Sequence, residues 1–134
     1  MNPRMLERGQ TLVEFAVILP LLITIALGAL DMGRLFYYDV AFQNALRESA
    51  RYAAKHPSTS TATLLSIMQN ESGLPAGSIT SVTLTNITGA NSGASLEQVT
   101  ATYSFTFVSP WLQNRFGIAN PLSIRTFAAA EVNQ

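Results

Sequence analysis

The chain has no cysteine and a single histidine, His56, among its 134 residues. The missing cysteines exclude a disulfide framework, a thiolate metal site and a catalytic thiol together. His56 has few carboxylates near it in sequence, so it reads as a helix-end surface residue rather than a metal ligand or a base. Charge is scarce too: 12% of residues are charged and 48% hydrophobic, and eight basic residues balance eight acidic ones. That balance leaves no electrostatic footprint for nucleic acid. No glycine-rich phosphate loop opens a helix, and no serine stands in a nucleophile elbow. With no constellation for catalysis, metal or cofactor, the expectation is a protein that is not an enzyme and carries no cofactor. The length allows one domain and an appendage.

What is present is concentrated at the amino terminus. From Leu12 to Leu30 run nineteen residues, uncharged except for Glu14. As a helix at about 1.5 Å per residue they span roughly 28 Å, close to the hydrocarbon thickness of a bilayer. A buried helix of a soluble protein rarely runs so far without a polar face. An ordinary secretory signal has a shorter apolar stretch, although Ala26-Leu27-Gly28 could serve as its cleavage site. Arg4 and Arg8 precede the span, which places the amino terminus in the cytoplasm and the remainder outside. Asp31 and Arg34 mark the exit from lipid.

Glu14 decides among membrane readings. A carboxylate two residues into the span could simply snorkel to the headgroups. Its setting, RGQTLVEF, offers another reading: a short basic leader, Gly9, then a carboxylate at the fifth residue after a cut between Gly9 and Gln10. Glycine keeps side chains away from an approaching peptidase. The freed amine of Gln10 would then be a cation able to neutralise a neighbour's Glu14 in a low-dielectric bundle. Pro20, inside the span, removes one backbone donor. It is either a tolerated membrane proline or a soft point where the helix kinks.

Three stretches, GQTLVEFAVILPLL, GALDMGRLFYY and QNALRESARYAA, together resemble the TadE-like proteins of the Flp/Tad tight-adherence pilus system. The resemblance covers about residues 8–54. It implies a minor pilin or pseudopilin with several partners: membrane lipid, other pilin subunits, a prepilin peptidase and the pilus assembly platform. It implies that Glu14 and Phe15 dock subunits. The major Flp pilin is much shorter, with almost nothing after its helix. The cysteine pair of some relatives is absent here, so packing alone must hold the outer region. Two other readings stay open: a subunit that itself builds a filament, and a membrane-tethered adhesin or binding module that is never polymerised.

Beyond the span, Leu35, Tyr38, Phe42, Ala45, Ser49 and Ala53 keep helical spacing, with Leu46 and Tyr52 beside them. One helix is therefore expected from Gln10 to Lys55, ended before Pro57, with Gly28 and Gly33 weakening it near the exit. A polar linker follows at Pro57–Ala62, then a short helix, Ala62–Ser72, stopped by Gly73. Strands are expected over 79–88, 97–108 and 122–132, the first two joined through the GANSG loop, Gly89–Gly93. In the second, Val99, Ala101, Tyr103, Phe105 and Phe107 alternate with polar residues. Trp111, beside Pro110 and Leu112, is either a partner anchor or a cap on the core. The expected organisation is a leader (1–9), a transmembrane helix (10–33), its extracytoplasmic continuation (34–56) and a linker, short helix and sheet (57–134). The fold class is α+β, a long helix packed on a small antiparallel sheet of about three strands, as in a small pilin.

Overall fold

The structure, a computed structural model, describes residues 3–88, 95–109, 114 and 117–132, with side chains from Thr11 onward. Trp111 and the GANSG loop lie outside the described residues. Helix α1 is Pro3–Lys55, 53 residues, or about 80 Å of helix. It starts earlier than the expected Gln10. Proline fits the first helical position, and Arg4, Met5, Leu6, Glu7 and Arg8 are strong helix formers, so residues 3–9 extend the helix. At the other end the His56 amide donates to the Tyr52 and Ala53 carbonyls, both at 3.1 Å. The His56 ring stacks on Tyr52, and Pro57 cannot continue the ladder. His56 is therefore an exposed helix terminus, as expected.

Helix α2, Thr61–Ser72, has a defined start and stop. The Ser60 hydroxyl accepts from the Thr63 amide at 3.2 Å, and Gly73 takes φ 60°, a left-handed conformation that glycine adopts without strain. Leu64 and Met68 are buried. Three antiparallel strands follow in the order β1-β2-β3: Ile79–Thr88, Ser95–Phe105 and Leu122–Glu131. The register places Leu84, Val99 and Ala128 in one row, and Asn86, Glu97 and Ala130 in another. The central strand is the most buried, since the outer half of α1 lies across its inner face.

Strand β2 stops at Phe105 rather than at residue 108. Phe105 pairs with Leu122, the first residue of β3, and the residue before it is Pro121, which has no amide to donate. Phe107 leaves the ladder yet keeps its packing, edge-on to Phe105 at 4.9 Å between centroids.

The core joins the helix stripe to β2. Phe42, Ala45, Leu46, Ser49, Ala50, Ala53 and Ala54 are buried on α1, against Val99, Ala101, Tyr103 and Phe105. Small residues let the backbone of α1 approach the sheet, while Phe42 meets Tyr103 at 4.6 Å between ring centroids. We call this unit, from Asp31 onward, the head. Ser49 is polar and fully buried, and its hydroxyl donates to the Ala45 carbonyl at 2.8 Å. Tyr103 is also fully buried, but its hydroxyl has no partner among the described residues. Burial, then the charge of Asp39, pushes this phenol up to about 12. Because an unmatched buried polar group is a cost, Tyr103→Phe should melt at the same temperature as the parent or higher. A drop of several degrees would show that the hydroxyl is bonded.

Candidate functional site

The functional element is α1, and its two halves differ. From Thr11 to Leu30 almost every position is exposed all round the helix, including Leu12, Val13, Phe15, Val17, Leu21, Leu22, Ile25 and Leu30. None of the apolar window is buried by the rest of the protein. A helix that is apolar on every face and covered by nothing of its own needs an apolar environment from outside. In length and composition it suits a single membrane crossing.

The residues singled out from the sequence lie along this half. Gly9 and Gln10 fall within the helical backbone of α1; their side chains lie outside those described. Glu14 is exposed among Leu12, Val13 and Phe15, and makes no ion pair among the described residues. Phe15 is exposed beside it, so neither residue is used by the protein's own packing. Pro20 sits inside α1, which runs through it. The Thr24 hydroxyl donates to the Pro20 carbonyl at 2.8 Å, one turn on, in a stretch otherwise lined by hydrocarbon.

The exit from the span carries a feature that sequence reasoning missed. Asp31 does more than end the apolar run: it is only 3% exposed, the most buried charged side chain among the described residues. Its carboxylate accepts from the Val108 amide at 2.9 Å and from the Ser109 amide at 3.1 Å, and also from the Ser109 hydroxyl. Arg34 adds a long contact of 3.5 Å. Three donors from one short segment thus converge on one carboxylate. They fasten the chain after β2 to the helix at the point where it leaves the apolar window. Arg34 lies 5.7 Å from the Tyr38 ring and 5.4 Å from that of Phe105, positions suited to cation–π attraction, which tie the same turn to the end of β2. The only local signal was a lone aspartate after a hydrophobic run. Its partners lie 77 and 78 positions away in sequence.

Around this level α1 exposes Met32, Phe36, Tyr37 and Val40 on surfaces that the sheet does not cover. Ala26, Ala29, Leu30, Gly33, Arg34, Tyr37 and Tyr38 line a shallow, mostly apolar depression. No group of three or more metal-ligating side chains occurs among the described residues.

These features define a class of protein: one long helix, bare and apolar at its amino-terminal half, carrying a small α+β head on the other. Within that class, residues 9–51 match the family model of TadE-like protein, less than half of the chain but the whole bare half of the helix with much of its outer half. The match supports the TadE-like resemblance read from the helix and points to a protein associated with a Flp/Tad pilus. No curated protein and no solved structure matches the chain.

Proposed function

We propose that the protein is a minor pilin or pseudopilin that takes part in assembling a Flp/Tad pilus and is anchored by α1 in the inner membrane before incorporation. The supporting observation is the bare apolar half of α1, which begins within a TadE-like match and bears Glu14 on its exposed surface. In this reading the basic residues Arg4 and Arg8 keep the amino terminus in the cytoplasm, and the head lies on the other side. A prepilin peptidase removes residues 1–9. Span and docking residues then pass from lipid to the hydrophobic contacts of neighbouring pilin subunits on the assembly platform, with Pro20 as the place where the helix bends. Chemistry within the head is not required, and its role is structural.

Cleavage tests this directly. Amino-terminal sequencing of the mature protein should begin at Gln10. A start near Ala29 would make the span a conventional secretion signal, and an intact Met1 would leave a permanently tethered module.

A further inference from the structure

The hydrogen bonds at Asp31 fix more than the fold: they fix the depth of one part of the head. Asp31 follows Leu30, the last residue of the apolar run, and the Val108 amide is 2.9 Å from its carboxylate. Val108 therefore lies level with the end of the span, and its own side chain is 59% exposed. The headgroup region of a bilayer adds roughly 5–8 Å beyond the hydrocarbon on each side. Phe36, six residues past Leu30, has its backbone about 9 Å further along the axis, just beyond that region, and helical side chains tilt back toward the amino terminus, which brings its ring into it. Met32, Phe36 and Tyr37 are all more than half exposed. Aromatic side chains are favoured at this depth.

The charges agree with such a setting. Asp31, the one acidic group at this level among the described residues, is buried and satisfied by its donors. Arg34 is the charge left partly exposed there, of the sign that anionic headgroups attract. From Gln98 to Asn114 the sequence carries no charged residue, so the chain on either side of the fastening point adds no carboxylate to repel them.

We propose that the exit end of the head is a lipid-contacting surface. Val108, held by Asp31, and the collar of Met32, Phe36 and Tyr37 rest in the headgroup layer of the leaflet where α1 emerges, with Arg34 toward the phosphates. The head is thus seated on the membrane and does not stand off it on a free stalk. This rests on the reading of α1 as a membrane span, and the test separates the two.

Because the chain has no native cysteine, single-site labelling is direct. Full-length Val108→Cys, Phe36→Cys, Ile23→Cys and Lys55→Cys chains are labelled with an environment-sensitive fluorophore. They are reconstituted in phosphatidylethanolamine–phosphatidylglycerol vesicles carrying nitroxide lipids, either at the headgroup or deep in the acyl chain. Ile23 lies in the span, and Lys55 is about 37 Å of helix beyond Leu30. The expected result is quenching at Val108 and Phe36 by the shallow nitroxide several-fold above that at Lys55, and quenching at Ile23 by the deep one. Since Val108 and Phe36 are exposed, their replacement does not disturb the core; a melt matching the parent confirms each fold. If Val108 and Phe36 quench no more than Lys55 while Ile23 quenches deeply, the seated head is wrong and the span stands. If Ile23 also escapes, both fall together.

Discussion

Asp31→Ala is expected to lower the melting temperature of the head by on the order of 10–20 °C. The estimate comes from deciding which of Asp31's contacts matter. The pair with Arg34 is long, at 3.5 Å, and Arg34 is 39% exposed, so solvent screens it and it adds little. The bonds from the Val108 and Ser109 amides are different, because a buried amide left without an acceptor costs about 1–3 kcal/mol. Val108 is partly open to water and can recover some of that, so the total falls at about 2–4 kcal/mol. A domain of this size has a margin of roughly 5–15 kcal/mol, so the loss is large but survivable. Asp31→Asn keeps one oxygen but sets an amide donor against donors, and should fall between alanine and the parent. Ser109→Ala loses a single hydroxyl bond and should be mildest. The same reasoning applies to soluble fragments. One that begins at Leu35 omits Asp31 and should melt well below one that begins at Ala26. An Asp31→Ala protein melting within a degree or two of the parent would mean that the fastening contributes nothing to stability.

How much of this was legible in the sequence follows from how local each signal is. The helix stripe through Phe42, Ala45, Ser49 and Ala53 was readable because helical neighbours lie three and four positions apart, and all four are buried. The alternation from Val99 to Phe105 was readable because a strand turns its faces every second residue, and every inward member is buried. Gly73 announced the end of α2 through the one conformation that other residues resist. Phe107 shows the limit of pattern. It fits the alternation, but a ladder also needs partners, and Pro121 ends them while Asp31 takes the amides of Val108 and Ser109. Asp31 itself was read as a boundary because nothing near it in sequence could reveal a partner 77 residues away. At the candidate assembly site the position is reversed. RGQTLVEF was conspicuous in sequence, whereas the isolated chain gives Glu14 no ion pair among its described residues. On the proposed reading the partner of Glu14 belongs to another chain, and the residue is then visible only as a pattern.

Glu14→Ala is expected to abolish pilus assembly while leaving synthesis and insertion intact. Two effects oppose each other here. Removing a carboxylate from an apolar helix favours insertion, by at most about 2.5–3.5 kcal/mol at the bilayer centre and less this close to its edge. If Glu14 pairs instead with the freed Gln10 amine of a neighbour, its loss leaves that amine buried and unmatched in the assembled bundle, at about 3–5 kcal/mol. That lowers an association constant by roughly two to three orders of magnitude, enough to keep this chain out of the complex through which it takes part in assembly. The exposure of Glu14 and Phe15 in the isolated chain fits the second effect, since neither side chain is taken up by the protein's own fold. Glu14→Asp keeps the charge on a shorter stem and should assemble partially. Glu14→Gln keeps the shape without the charge and should behave like alanine, which separates ion pairing from packing. The readouts are surface piliation and crosslinking between pilin subunits, with membrane fractionation to show that the mutant chain is inserted. Normal piliation with Glu14→Ala would reduce Glu14 to an interfacial carboxylate that snorkels to the headgroups, and the helix would then be an anchor with no part in assembly.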